Sequence, residues 1–290
     1  MPVYSVSLRS GSSGNSAFIR TESAGLALDL GMTGRQYALA LESLGESADG
    51  VDGILLTHEH IDHSSGIGVV MRRHKTPLYA TLGTYRALLP FLGKIDESLV
   101  RIIEPGQSFS IRETVITPFS IPHDAADPVG FRIHTKAGDI GVATDLGHFS
   151  QTVREALTGC RIVHLEANFD PDMLETGSYP PSLKKRIAGS DGHLSNQESG
   201  MAASWLIRNG TESLFLSHLS EENNLPPLAL RTVCSYLDQT GARAGEDYVI
   251  QVAPRYSCSR PMLCQDPFSE YVPGEGFPGQ QLTLSLIGDL

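Results

Sequence analysis

The 290-residue sequence predicts an α/β protein with mixed β-sheets, and three observations carry that expectation. Short runs rich in Val, Ile, Leu and Phe, bounded by Gly, Pro and Asp, recur along the chain as strands do. They come first in hairpin-like groups and then alternate with helical patterns, the order of a mixed sheet with crossover helices. Several helical patterns run into a glycine, the residue that most easily takes the left-handed conformation at a helix end.

In chain order, "VYSVSL" (3–8) and "AFIR" (17–20) read as a hairpin turned by "SGSSGNS" (10–16). "GLALDL" (25–30) is a third strand, followed by the helical "GRQYALALESLG" (34–45) and the strand "GILLT" (53–57). Helical periodicity returns in "SSGIGVVMRRH" (64–74) and "TYRALLPFLG" (84–93). The strands "VITPFSI", "GFRIHT" and "DIGVATD" (115–121, 130–135, 139–145) precede a helix "TVREALTG" (152–159). Strand "RIVHLEAN" (161–168), helix "NQESGMAASWLIRNG" (196–210), strand "SLFLSH" (213–218) and helix "PLALRTVCSYLDQTG" (227–241) close the body. Trp205 falls at a helical core spacing and is expected to pack rather than to stack on a base. No fixed repeat is visible.

Beyond residue 253 the text becomes dense in Pro and Gly and loses periodicity. One domain over 1–253 and a C-terminal arm over 254–290 are expected. The arm's "LTLSL" alternates like an edge strand that can pair with the body or build a homodimer. Hydrophobic residues make up 40% and charged residues 19%, the composition of a globular protein with a core. Twenty-two Lys and Arg face 33 Asp and Glu, so the net charge of −11 argues against broad adhesion to nucleic acid or anionic membrane. No charged segment with an apolar stretch behind it opens the chain, and no run approaches the roughly 18 apolar residues of a membrane span. Four scattered cysteines, Cys160, Cys234, Cys258 and Cys264, form no disulfide framework or zinc knuckle. Together these features point to the cytoplasm.

The densest chemistry lies in "THEHIDHSSG" (57–66), where His58, Glu59, His60, Asp62 and His63 follow a strand and precede a helix. Residues two apart in an extended segment share a side, so His58 and His60 can grip one ion. The turn into the helix re-aims Asp62 and His63 towards a second point. Asp62 as a plain helix cap among surface histidines is the alternative. Two ions need about six or seven protein groups, and imidazole and carboxylate suit zinc, manganese and iron. His123, Asp145 and His218 stand at strand ends, where α/β proteins place functional groups, and Asp145 can bridge two cations. Glu59 alternates away from the ions and takes no catalytic role.

"THEHIDH" with His123, Asp145 and His218 resembles the metallo-β-lactamase superfamily of binuclear metallohydrolases, over residues 1 to about 250. The resemblance implies a four-layer αββα sandwich with two mixed β-sheets and metals at one edge between them. It implies that His58, His60 and His123 hold one ion, that Asp62, His63 and His218 hold the other, and that Asp145 bridges them. "SGSSGNS", "SIPHDAADPVGF", "SYPPSLKKRI", "GHLSN" and "LSHLSEENN" narrow it to the YycJ/WalJ-type branch, related to nucleases and phosphodiesterases. Larger RNA-processing and DNA-repair members insert a domain between the bridging Asp and the last His. Here only 73 positions separate Asp145 from His218.

Other residues suit a phosphate-bearing substrate. Ser12, Ser13 and Asn15 can form an anion nest, on a loop that is equally a hairpin turn. His193 is a substrate-binding or general-acid candidate, a helix-entry residue, or an exchange partner for His218 as last ligand. Lys184 and Lys185, with Arg186, form the one tight basic cluster and can contact phosphates, or simply be a solvated helix face. Glu166 and Asn168 can bond to a ligand histidine.

The function expected is a hydrolase with two divalent ions, zinc or manganese or iron, cutting phosphodiesters of single-stranded DNA or RNA ends by hydroxide attack. Asp62, Asp145 and His193 are its catalytic residues. A glyoxalase II-like thioesterase or a small cyclic phosphodiesterase is the alternative. A di-iron redox protein fits less well, since such members of the superfamily carry Glu where His60 stands and a flavin module is missing. A non-catalytic binding protein fits less well too, because every ligand position is present.

Overall fold

The computed structural model describes residues 2–268, and its two sheets are built from runs whose alternate residues serve different cores. The first sheet takes β1 (Tyr4–Arg9), β2 (Ser16–Arg20), β3 (Gly25–Leu28), β4 (Gly53–Leu55), β5 (Leu78–Thr81) and β6 (Val100–Ile103). The second takes β7 (Phe109–Ile111), β8 (Thr114–Ser120), β9 (Val129–His134), β10 (Asp139–Ala143), β11 (Cys160–Glu166), β12 (Ser213–Ser217) and β13 (Val249–Val252). A short β14 (Met262–Leu263) returns to the first sheet, antiparallel to β1. The order is β14-β1-β2-β3-β4-β5-β6 in one and β13-β12-β11-β10-β9-β8-β7 in the other. In each, the antiparallel part gives way to a parallel part, at β3 and β10 respectively.

On β3, Leu26 and Leu28 face the opposite sheet and pack with Phe131, Ile133, Ile162 and Phe215. Ala27 between them faces outward, into a cluster with Tyr37, Leu41, Val70 and Leu88. Those residues belong to helices α1 (Gly34–Ser43), α3 (Ile67–His74) and α4 (Leu82–Leu92). On the other side, Val163, Leu165, Leu214 and Leu216 pack with residues of α5 (Gln151–Leu157), α8 (Asn196–Arg208) and α9 (Pro226–Asp238). A strand apolar on both faces is what a sheet covered on both faces requires. Three cores separate four layers, helix, sheet, sheet, helix, and the αββα sandwich is the fold.

Every strand and helix read from the sequence within the described residues is present. The unanticipated elements are short: β5, β6, β7, β13 and β14, a one-turn α2 (Ile61–Ser64), and α6 (Pro171–Thr176) and α7 (Pro181–Ile187). Both α6 and α7 begin on proline, favourable at a first helical position, yet are too brief to show a period. Trp205 departs from expectation. It is 39% exposed, its ring lies under the Arg154 guanidinium at 4.7 Å, and the core spacing on α8 is filled by Ala202, Ala203 and Leu206 instead. The described part of the C-terminal segment lies on the body: Cys264 N donates to Val3 O, and Ser259 N to Ser7 O. The edge strand expected in "LTLSL" falls outside the described residues.

Candidate metal centre

The centre gathers at the carboxyl ends of β4, β8, β10 and β12, where the strands release the chain into loops. Leaving β4, the chain stays extended through Thr57 and His58, and His60 caps the short α2 on which Asp62 and His63 stand. His58 and His60 therefore share a side, as their two-residue spacing predicts. His58 Nε2 lies 3.0 Å from His60 Nδ1, and His123 Nε2, from the loop after β8, lies 3.3 Å from the same atom.

A second group forms beside it. His63 Nε2 lies 3.4 Å from Asp62 Oδ2, as does His218 Nε2 at the end of β12. Asp145, one residue past Thr144 at the end of β10, stands between the groups. Its Oδ2 is 3.2 Å from His63 Nε2, and its Oδ1 is 3.8 Å from His123 Nε2 and 3.2 Å from His218 Nδ1. All seven expected ligands thus converge, and four sets of three or four donors each lie within 4.8 Å of one another.

This donor set fits divalent cations. Asp145 Oδ2 is buried, and its approach to His63 is not aligned as a hydrogen bond, so it is left without a partner. Imidazole nitrogens facing one another at hydrogen-bond distance cannot all be satisfied by each other's protons, whereas a cation takes every lone pair. Burial holds His58 well below the usual histidine range, helped by His63, and burial lowers His123 against the pull of Asp145. Burial resists charge on His218, but Asp145, Asp62 and Glu166 outweigh it and lift the imidazole to about 10. His63 is raised in the same way by Asp145, Asp62 and Asp29. Asp145 itself is driven well below the carboxylate range by His218 and His63 despite its burial.

Two buried acids hold the outer nitrogens of these histidines. Glu166, the last residue of β11, accepts from His193 Nδ1 at 2.8 Å and His218 Nδ1 at 2.9 Å through Oε1. Its Oε2 accepts from the backbone N–H groups of Leu146 and Leu194. With Nδ1 committed on both rings, Nε2 is the atom each offers to the centre. Asp29 was not picked out by the sequence reading. It accepts from His63 Nδ1 at 2.8 Å and from the Thr57 backbone N–H and hydroxyl. The available signal was an acid inside the otherwise apolar "GLALDLG", a position that demands a buried partner.

Backbone strain concentrates here. Asp29, Asp145 and His218 have φ of 50°, 60° and 58°, a left-handed conformation that non-glycine residues occupy at a cost of about 1–3 kcal/mol each. Each ends a strand and uses the bend to swing its side chain into the centre.

The 10–15 loop closes the hairpin between β1 and β2 and braces the ligands. Asn15 N donates to Asp62 O, and Asn15 Nδ2 lies 3.2 Å from Asp62 Oδ2 and 3.0 Å from His63 Nε2. The Asn15 side chain is thus turned to the ligands, while Ser12 and Ser13 are exposed at the loop's tip. Gly31 packs so closely that an added Cβ would sit 1.6 Å from Asp62 O.

His193 stands beside the seven ligands, its side chain 19% exposed, just ahead of the Ser195 cap of α8. Asn168 donates to His218 O rather than to its ring alone. Lys184 and Lys185 lie on α7 with Arg186, which pairs with Asp124 beside His123. Lys184 Nζ donates to Glu175 O, and Lys185 is exposed. Glu59 points away from the ligands and accepts from Ala126 N. His74, His134, His148 and His164 bond to Asp49, Asp139, Ser190 and Ser5, all away from the centre.

The αββα sandwich with this edge-on cluster defines the class, and residues 28–219 match the Beta-lactamase superfamily domain. The chain belongs to that superfamily. Within it, the sequence is 32% identical over 243 residues to the exodeoxyribonuclease YycJ of Bacillus anthracis, covering 84% of this chain and 92% of that one. It is 35% identical over 249 residues to the exodeoxyribonuclease WalJ of Streptococcus pneumoniae, covering 85% and 92%. Among solved structures it resembles the metallo-β-lactamase fold protein YhfI of Bacillus subtilis, with a TM-score of 0.66 at 15% identity over 88% and 99% of the two chains.

Proposed function

We propose that this protein is a metal-dependent exonuclease that trims single-stranded nucleic acid, DNA in the first place, with two divalent ions, zinc or manganese. The chain is a hydrolase of the superfamily, and the names of its two bacterial relatives direct the choice of substrate to DNA. One geometric observation favours phosphodiester over thioester cleavage. His193 is held by a buried, ionised Glu166 at the edge of the ligand cluster, with Nε2 uncommitted. A thiol leaves readily as its anion, whereas the sugar oxygen released from a phosphodiester needs a proton.

His58, His60 and His123 would hold one ion, Asp62, His63 and His218 the other, with Asp145 shared. Ions so placed supply Lewis acidity to the phosphate and lower the pKa of water. Asp62, steadied by Asn15, orients the attacking water. His193 delivers a proton from Nε2 to the leaving oxygen, and Glu166 keeps the ring aimed. Lys184 and Lys185 on the exposed side of α7, with Ser12 and Ser13 across the centre, contact phosphates. Four free thiols suit a reducing cytoplasm. Among the described residues no helix is long and apolar enough to cross a membrane.

The test is hydrolysis of end-labelled single-stranded DNA and RNA by protein reconstituted with manganese or zinc, with Asp145→Ala alongside. Metal-dependent trimming from one end, absent in the variant, is expected. A fully metallated protein that leaves both strands intact would sink the nuclease and redirect work to small phosphodiesters and thioesters.

A further inference from the structure

The 10–15 loop has two faces. One braces Asp62 and His63; on the other, Ser13 Oγ accepts from Arg9 Nη2, and Arg9 lines a groove of about 300 Å³ between the end of β1, helix α1 and residues 256–258. Arg9, Met32, Leu39, Ser43, Tyr256 and Cys258 line it. Its size sits at the low end of the roughly 300–1,000 Å³ of small-ligand pockets, room for about one nucleotide rather than a folded partner.

Two features of the groove are unexplained by packing. The Tyr256 ring is 69% exposed and lies over the Arg9 guanidinium, with 5.2 Å from Arg9 Cζ to the ring centroid. An aromatic backed by a cation on one face and open on the other is a stacking platform. Arg9 Nη2 donates to Ser13 Oγ, yet Arg9 Nε is buried with no hydrogen-bond partner. Arg255, next in sequence to Tyr256, is outside the groove's lining and is paired with Glu221, which also accepts from the Tyr256 hydroxyl. An incompletely satisfied guanidinium group in the groove of a chain of net charge −11 calls for an anion.

The 10–15 loop also links the groove to the metal centre. Ser10 Oγ accepts from His218 N, Gly11 N donates to Asn15 Oδ1, and Leu219 follows a ligand. A strand whose scissile phosphate lies at the ligands needs only to cross this loop to reach Tyr256.

We propose that this groove is the subsite for the nucleotide next to the scissile bond, its base stacked on Tyr256 and its phosphate held by Arg9. The subsite rests on the nuclease reading above. It makes the enzyme a strand trimmer that measures at least two nucleotides, and it accepts any base, since stacking does not read base edges.

The test uses the manganese-loaded enzyme and its Tyr256→Ala, Tyr256→Phe and Arg9→Gln variants. Binding of a fluorescent phosphorothioate oligothymidylate is measured by anisotropy, and hydrolysis is compared between oligothymidylate and the p-nitrophenyl ester of thymidine monophosphate. Tyr256→Ala is expected to weaken strand binding and raise KM by roughly 5- to 100-fold, with kcat nearly kept and the small ester unaffected. Tyr256→Phe should behave as the parent. Arg9→Gln should lower the slope of log affinity against log salt by about 0.7. Unchanged strand binding in Tyr256→Ala overturns the subsite while leaving the nuclease reading intact. Equal losses on strand and ester overturn it too, because they mark a structural role. A parent enzyme that neither binds nor cuts strands but hydrolyses the ester removes the nuclease reading, and the subsite with it.

Discussion

At the scale of single residues, His63 and His218 each give one nitrogen to a buried acid, which would leave the other for a metal. Glu166 and Asp29 take the Nδ1 protons of His193, His218 and His63. Removing Asp29 frees the His63 ring, so Asp29→Ala should lower metal affinity by about 10- to 100-fold, measured by competition with a chelator. His193→Ala should reduce kcat by about 10²–10⁴ with metal content unchanged, whereas His218→Ala should lose metal. Retained turnover in the first would dismiss His193 as the proton source. The raised His63 and His218 give a pH prediction as well. The folded pKa of His218, about 10, exceeds the ordinary histidine value of 6.5. Its contribution to the metal-free fold is therefore complete below that lower value and lost as pH rises through about 10. Metal must displace these protons, so affinity rises with pH and binding at neutral pH releases protons. Calorimetry in buffers of different ionisation enthalpy reads that release, and a value of zero would contradict the raised imidazoles.

At the scale of elements, three strand ends with left-handed backbone and one close loop contact do the positioning. Gly31 is where this is most exposed to test. A Cβ there would meet the backbone oxygen of Asp62 at 1.6 Å, and a backbone atom cannot rotate away. Gly31→Ala should displace the α2 turn that carries Asp62 and His63, with metal loss exceeding any loss of helix by circular dichroism. Much of this scale was legible in the sequence. Ser195 caps α8 with Glu198 as its capping-box partner, in the "GHLSN" segment where a cap was expected. The short strands β5 to β7 and the proline-led α6 and α7 were not, because four to seven residues carry too little period to separate them from loops.

At the scale of the molecule, two seven-stranded sheets share an inner core and each packs helices on its outer face. Phe215 is wholly buried between the sheets. Phe215→Ala should cost about 3–5 kcal/mol in denaturant unfolding, since neither sheet can move in to fill the void. Metal held by the proposed ligands would tie together the ends of strands from both sheets. Saturating it at about 100 times Kd should add about 2.7 kcal/mol, and chelation should lower Tm accordingly. A Tm indifferent to chelator would mean that the cluster does not hold metal in solution.

The sequence by itself determined the chemistry on offer. An H-x-H-x-D-H block at a strand end, with His123, Asp145 and His218 at three more, specifies donor types and the elements that carry them, because both follow from local spacing. The folded structure alone decided which nitrogen of His63 and His218 faces inward, that Asp29 holds His63, that Glu166, a candidate already in the sequence, holds His193 and His218 together, and that Tyr256 returns to lie over Arg9. Those depend on contacts between residues 27 to 247 positions apart, and no local pattern encodes which distant side chain fills a given space.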